Sequence, residues 1–148
     1  MAQPLPIIFT TNVITQKDYT YDIGSNKLTS TVKVGGTTQV NASYTYDNAS
    51  RMSTVKENGA LQATYSYDVN GNRASLAYAN GVTTTYTYNL ANMVKTLTNK
   101  NSSNAVLSSY AYTYQLDGNQ TSKTDHTGKI TSYIYDGLGR LTSESDTA

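Results

Sequence analysis

The amino-acid sequence predicts an all-β protein built from antiparallel β-hairpin repeats, and three observations support this fold class. A Tyr-x-Tyr motif recurs six times, with first tyrosines 25, 21, 21, 26 and 21 residues apart, which is the periodicity of a repeat architecture. The segments that follow alternate in polarity with a period of two, as strands do. Turn-forming glycine and asparagine residues separate these segments.

The tyrosine pairs mark the first strand of each repeat. Residues two apart in a strand point to the same face, so each pair places two rings side by side. A buried ring removes roughly 150–250 Å² from water, so regularly placed tyrosines supply apolar surface that the sparse aliphatic residues do not. The six pairs are Tyr19 and Tyr21, Tyr44 and Tyr46, Tyr65 and Tyr67, Tyr86 and Tyr88, Tyr112 and Tyr114, and Tyr133 and Tyr135.

A turn is predicted after each pair. The next residue is usually an aspartate, whose side chain can accept a hydrogen bond from the backbone N–H two residues further on. These aspartates are Asp22, Asp47, Asp68 and Asp136, replaced by Asn89 and Gln115 in two copies. Three residues further along, a hairpin loop of this length needs a residue with positive φ. The candidates are Ser25 (or Asn26, if one residue is inserted), Ser50, Gly71, Asn92, Gly118 and Gly139.

The return turns complete the hairpins. They are predicted at Gly35-Gly36, Asn58-Gly59, Asn80-Gly81 and Thr127-Gly128, and the fourth repeat is predicted to use a longer polar loop over 99–104. About twelve strands of six to eight residues result, with an approach to the first strand over 13–18 and a strand over 28–34. We assign residues 1–12, which hold both prolines, to a lead-in and residues 13–148 to a single domain whose sixth repeat is truncated.

Composition excludes several classes of function. The 148 residues carry 11 basic and 10 acidic side chains with no basic run, so no nucleic-acid surface is predicted. Cysteine is absent, and no apolar stretch is long enough to span a membrane. No signal peptide is recognisable within these residues, so any export of the chain has to be directed from outside them.

Catalytic and metal-binding residues are not predicted. His126 is the only histidine and sits in a predicted turn, while the two glutamates, Glu57 and Glu144, fall in different repeats. The segment Asp68-Val69-Asn70-Gly71-Asn72 looks like half of a calcium loop, but its glycine comes two places early and the closing glutamate is missing. The sequence therefore indicates no enzyme, no metal and no cofactor.

The repeat resembles that of a known family. The stretches Tyr135-Asp136-Gly137-Leu138-Gly139-Arg140-Leu141 and Tyr67-Asp68-Val69-Asn70-Gly71-Asn72-Arg73 look like YD repeats of the Rhs (rearrangement hotspot) family, which includes bacterial polymorphic toxins, insecticidal toxin complex components and teneurins. The resemblance implies a long antiparallel sheet that spirals into a hollow shell around a toxin or other cargo. Asn89, Gln115, Met93 and Asn119 depart from the family's Asp and Arg positions.

The favoured function is that of a non-catalytic structural module, one segment of such a shell. Its partner would be the rest of its parent chain or the cargo, and the resemblance places that parent outside or on the surface of a bacterium. An isolated sheet has two open edges and an uncovered Tyr face, so curling or self-association through the edge strands or the Tyr face is expected. The alternative is a carbohydrate- or cell-surface-binding module that uses the tyrosine rows or the loop over 99–104 to hold a glycan.

Overall fold

The computed structural model describes residues 14–147 and shows twelve β-strands and no helix in that range. The predicted lead-in over residues 1–12, the approach at Val13 and the final Ala148 lie outside the described residues. The strands are β1 Thr15–Tyr21, β2 Lys27–Val34, β3 Thr37–Tyr46, β4 Met52–Glu57, β5 Ala60–Tyr67, β6 Arg73–Tyr78, β7 Thr83–Tyr88, β8 Val94–Lys100, β9 Val106–Tyr114, β10 Gln120–Asp125, β11 Ile130–Tyr135 and β12 Leu141–Asp146. The all-β prediction is confirmed.

The twelve strands form one antiparallel meander in chain order. Among residues 14–147 each strand pairs only with its neighbours in sequence, and β1 and β12 are the two edge strands of this open sheet. Contacts between strands are likewise limited to sequential pairs, so no second layer covers either face within residues 14–147. The sheet therefore has no enclosed core.

One face of the sheet carries the tyrosines. Across this face Tyr44 pairs with Val55, Tyr65 with Leu76, and Tyr86 with Leu97. The four buried residues, Ala63, Leu76, Thr84 and Thr131, also lie on it. Because no layer packs on top, the rings are half-buried against their lateral neighbours, and on edge strand β1 Tyr19 and Tyr21 remain 47% and 57% exposed.

The opposite face is lined with hydroxyl groups. In five repeats the residue between the two tyrosines bonds the hydroxyl opposite it on the next strand, at Oγ–Oγ distances of 2.6–2.7 Å. These pairs are Thr20 and Thr29, Thr45 and Thr54, Ser66 and Ser75, Thr87 and Thr96, and Thr113 and Ser122. The two faces of the sheet therefore differ in character, one aromatic and one hydroxylated.

The loop predicted over 99–104 is corrected by the structure. Asn99 and Lys100 belong to β8, and the connection to β9 covers only 101–105. Asn99 is held in the sheet because its Oδ1 accepts from Thr84 Oγ1 at 2.7 Å and its Nδ2 donates to Ser108 Oγ at 2.9 Å. The extra residues of this repeat lengthen strands, and β9 reaches nine residues, beyond the predicted six to eight.

Candidate functional site

The recurring structural unit is a five-residue turn after each tyrosine pair, here called the Tyr-Asp turn. In every copy the N–H of the first residue donates to the carbonyl of the fifth at 2.8–3.0 Å, and the N–H of the fourth donates to the carbonyl of the first at 3.0–3.1 Å. The fourth residue has φ between 58° and 93°. The six turns are 22–26, 47–51, 68–72, 89–93, 115–119 and 136–140.

The positive-φ residues of these turns are Ser25, Ser50, Gly71, Asn92, Gly118 and Gly139. The choice that the sequence left open between Ser25 and Asn26 therefore falls on Ser25. The first Tyr-Asp turn has the same length as the others, and the wide spacing of the first repeat comes from β2 and β3, which have eight and ten residues.

The aspartate of the turn bonds the backbone with one carboxylate oxygen and a side chain with the other. Asp47 Oδ1 accepts from the N–H of Ala49 at 2.9 Å and of Arg51 at 3.0 Å, while its Oδ2 accepts from Arg51 Nε at 2.8 Å. Asp136 and Arg140 repeat this arrangement. In the turns of Asp22 and Asp68, an asparagine takes the place of the arginine.

The two copies without aspartate behave differently from each other. Asn89 accepts the same two backbone N–H groups, from Ala91 at 2.9 Å and Met93 at 3.0 Å, because its amide oxygen stands where the carboxylate oxygen would. The side chain of Gln115 is one methylene longer than asparagine and makes no such bond. In that turn the carboxylate of Asp117 accepts a hydrogen bond from the backbone N–H of Asn119 instead, at 3.0 Å.

Three of the return connections, 78–82, 101–105 and 125–129, adopt the same backbone geometry. The two that begin with Asn or Asp also share the side-chain cap. Asn101 Oδ1 accepts from the N–H of Ser103 and of Ala105, and Asp125 Oδ1 accepts from the N–H of Thr127 and of Lys129. The fourth residue again has positive φ, 63° at Asn104 and 90° at Gly128. The sequence signal for this likeness is an Asn or Asp three residues before an Asn or Gly.

The second tyrosine of a pair ties one hairpin to the previous one. The hydroxyl of Tyr67 donates to the carbonyl of Met52 at 2.9 Å, beyond the last residue pair that joins β4 to β5. A tyrosine hydroxyl held against a sheet finds such a partner because an unpaired polar group there is costly. Tyr46, Tyr88 and Tyr114 bond the carbonyls of Lys27, Arg73 and Val94 in the same way, at 2.7–2.9 Å.

Cations cover several rings in the first half of the sheet. Lys27 Nζ lies 5.5 Å from the ring centre of Tyr19 and 5.3 Å from that of Tyr44. The guanidinium groups of Arg51 and Arg73 lie 4.3 Å from Tyr67 and 5.1 Å from Tyr65. Positions within about 6 Å of a ring are favourable cation–π contacts, so these rings already have partners within the chain.

These contacts shift the pKa values of several aspartates and tyrosines. The side-chain bond from Arg51 and the backbone N–H groups lower the pKa of Asp47, and the same kinds of bond lower the pKa of Asp22 and Asp136. Partial burial raises the pKa of Tyr112 and Tyr114. The aspartates are therefore charged caps at neutral pH, with their oxygens occupied by the turn itself.

Other candidate residues do not converge on one site. Glu57 and Glu144 stand on β4 and β12, eight strands and thus about 38 Å apart at about 4.8 Å per strand. His126 is exposed at the tip of a return turn. Within residues 14–147, no three His, Cys, Asp or Glu side chains are grouped to hold a metal ion, and no helix is present that could cross a membrane.

A polar recess of about 290 Å³ lies near the β12 edge on the Tyr face. Tyr110 forms part of its wall, and Asp125, Glu144 and Asp146 lie around it. Asp146 is already engaged, since its carboxylate lies 2.6 Å from Lys129 Nζ and accepts from Thr131 Oγ1 at 2.7 Å. In this recess an aromatic ring and several charged groups line a common hollow.

Comparison with known proteins decides the family. The family model described as RHS Repeat matches residues 67–103 and 114–148. The tRNA nuclease WapA of Bacillus subtilis (strain 168) is 35% identical over 121 residues, which make up 81% of this chain and 4% of that protein. The chain belongs to the Rhs, or YD-repeat, family.

Solved structures agree on the fold. A chain in the crystal structure of TcdB2-TccC3-Cdc42 matches with a TM-score of 0.75 at 21% identity, over 88% of this Rhs chain and 7% of the other. A chain of TcdB2-TccC3 without its hypervariable C-terminal region matches with a TM-score of 0.74 at 21% identity. At this level of identity the likeness concerns the fold alone. The Rhs chain spans less than a tenth of these relatives.

Proposed function

We propose that this chain is a wall segment of an Rhs-type β-shell that encloses or presents a toxin or other cargo. That it is a structural repeat module follows from its family and fold. The observation that carries the finer proposal is the single-layer sheet of residues 14–147, in which strands contact only their neighbours and neither face is covered by another described segment. A sheet with no enclosed core of its own is suited to bound a larger volume.

The repeat chemistry supports a role in building rather than in catalysis. The Tyr-Asp aspartates accept bonds from their own turn, and four second tyrosines bond the preceding hairpin. The nuclease activity in the name of WapA belongs to a protein of which this chain matches 4%. We therefore assign no catalytic residue, metal or cofactor to this chain, and take the rest of its parent chain or the cargo as its partner.

The proposal also concerns location. The family resemblance to bacterial toxins implies a parent protein that is exported or held at the cell surface. The abundance of hydroxyl pairs on one face and the absence of cysteine from the sequence are compatible with that setting, since neither depends on a reducing compartment.

A graft tests the wall role. Residues 15–147 replace the matching hairpins of the TcdB2-TccC3 chain, and protection of the following polypeptide from protease is compared with that in the unaltered complex. Equal protection is expected, because the twelve strands present the same meander. As a control, the same graft with Tyr46, Tyr67, Tyr88 and Tyr114 changed to Phe loses the bonds between hairpins and is expected to protect less. A folded graft that leaves the polypeptide fully cleavable contradicts the proposal.

The carbohydrate-binding alternative is best supported at the polar recess beside Tyr110. Sugars stack on aromatic rings and bond to carboxylates, and in this half of the sheet no cation lies over a tyrosine ring. Glycan-array binding that disappears in Tyr110→Ala, but survives in Tyr65→Ala, would support the alternative. If the unsubstituted chain binds no glycan, or if neither substitution changes the binding, the alternative is contradicted.

A further inference from the structure

An exposed aliphatic row follows one end of the sheet. Because the strands run up and down in order, all six Tyr-Asp turns lie at the same end, and five of them present a large apolar side chain at the second or third position of the turn. We call these side chains the tip row. Its members are Ile23, Val69, Leu90, Leu116 and Leu138, which are between 79% and 110% exposed.

The other end of the sheet lacks such a row. Its five connections have Gly35-Gly36, Asn58-Gly59, 79–81, 102–104 and 126–128 at their tips, and none of these residues is a large hydrophobic. The difference cannot come from the needs of the turn, because the return connections at 101–105 and 125–129 use the same five-residue geometry with polar tips. Beside the return connections Leu61, Val106 and Leu107 are only about half exposed, at 44–52%. Large apolar side chains at the turn tips of one end only therefore indicate a contact surface.

A hollow lies between two neighbouring side chains of the tip row, Leu90 and Leu116. Adjacent Tyr-Asp turns are two strands apart, or about 10 Å. Between two of them lies a recess of about 350 Å³, lined by Leu90, Ala91, Met93, Tyr114 and Leu116. A partner that packs between successive turns must present apolar side chains at this same spacing.

We infer that the tip row is an interface with the tip row of a second copy of this chain. A second copy has the required spacing by construction, because its own Tyr-Asp turns recur every two strands. Related by a two-fold axis, the side chains of one row enter the hollows of the other in self-complementary contact. This inference goes beyond the proposed wall role and does not depend on which cargo the wall encloses.

The size of the surface sets the strength of the contact. Five intervals of about 10 Å and a sheet about 10 Å thick give a strip of roughly 500 Å² per copy, or about 1,000 Å² for the pair. Specific interfaces usually bury about 1,200–2,000 Å². The pair is therefore expected to be a weak dimer that forms at about 10–100 µM and is monomeric well below that range.

Sedimentation of the full chain over concentration tests the inference. The double variant Leu90→Asp with Leu116→Asp is expected to raise the dissociation constant at least about tenfold, since four charges would meet apolar hollows in each dimer. The control Asn80→Asp with Ser103→Asp adds the same charge at the polar end and is expected to leave the constant unchanged. A wild-type chain that stays monomeric to about 200 µM, or a dimer insensitive to the Leu changes, overturns the inference.

Cross-linking gives a second and independent readout, because the chain has no native cysteine. Leu90→Cys stands near the middle of the tip row, and a short bismaleimide is expected to join it to the same residue of a second copy. Ser103→Cys, at the opposite end, is expected to stay unlinked at the same concentration. Cross-links at Ser103→Cys but not at Leu90→Cys would place the contact elsewhere and overturn the inference.

Discussion

Each tyrosine of a pair has its own contacts, although both lie on one face of the same strand. The first tyrosine stacks beside the apolar residue across the strand, as Tyr65 does beside Leu76. In four of the six pairs the second tyrosine donates its hydroxyl to a backbone carbonyl of the preceding hairpin, as Tyr67 does to Met52. The first contact needs a ring only, whereas the second needs the phenol.

This difference predicts unequal effects of the same substitution. Tyr67→Phe is expected to lower the free energy of unfolding by about 0.5–1.5 kcal/mol, because a carbonyl loses its donor while the ring and its contact with Arg51 remain. Tyr65→Phe is the matched control, since it keeps the contact with Arg73 and removes a hydroxyl that makes no hydrogen bond within residues 14–147. Urea unfolding measures both, and equal losses would rule out the proposed role of the Tyr67 hydroxyl.

At the level of single residues, the sequence predicted the turns but not the hydrogen bonds of the tyrosine hydroxyls. The spacing from each tyrosine pair places Ser50 and Gly71 at positions that need positive φ, and both have it. The hydroxyl bonds were missed because their acceptors are main-chain carbonyls, which leave no side-chain signature at Met52 or Val94. Each acceptor residue lies six positions after the second tyrosine of the preceding pair, and this is the one regularity that could have indicated the hydroxyl bonds.

At the scale of the element, the Tyr-Asp turn is a cap whose strength depends on charge. Bonds from Arg51, Asn26 and backbone N–H groups lower the pKa of Asp47 and Asp22 below its ordinary value of 3.8. A carboxyl whose folded pKa is depressed contributes stability that is present above the unfolded pKa and is lost as the pH falls through the folded value. The turns should therefore weaken together in acid.

The urea midpoint is accordingly expected to be flat above about pH 5 and to fall below about pH 4. The double variant Asp22→Asn with Asp68→Asn should fall less steeply, because an amide oxygen caps the same N–H groups without titrating, as Asn89 does naturally. In both turns the aspartate side chain bonds an asparagine rather than an arginine, so the substitutions remove no ion pair. An unchanged acid slope in the double variant would show that the loss arises elsewhere.

Most of the hairpin boundaries were predicted from the sequence, and the failure at 99–104 has a physical reason. The polar composition of 99–104 suggested a loop, yet Asn99 bonds across to Thr84 and Ser108 within the sheet. Polarity separates loops from strands only where a buried layer demands apolar side chains. In a sheet covered on neither face, a hydrogen-bonded asparagine is as well placed in a strand as a threonine.

At the scale of the whole molecule, the absence of a second layer makes stability a sum over neighbouring strands. Repeat arrays whose units contact only adjacent units unfold locally from their ends. The sequence could not show this, because tyrosines that alternate along a strand fit a packed core as well as an open face. The four residues that do become buried indicate where the array is best supported, and three of them, Ala63, Leu76 and Thr84, lie on β5 to β7.

Hydrogen exchange should therefore be graded along the chain rather than uniform. Amides of β5 to β7 are expected to exchange slowest, and those of β1 and β12 fastest, because each edge strand has one neighbour and β1 leaves its tyrosines about half exposed. The measurement is made below about 10 µM, where the proposed dimer is dissociated, and then repeated near 200 µM. Slowing confined to the Tyr-Asp turns at high concentration would agree with the tip-row contact. Slowing confined to β1 or β12 would instead indicate edge-strand pairing, and uniform exchange at low concentration would show that the sheet opens as one cooperative unit.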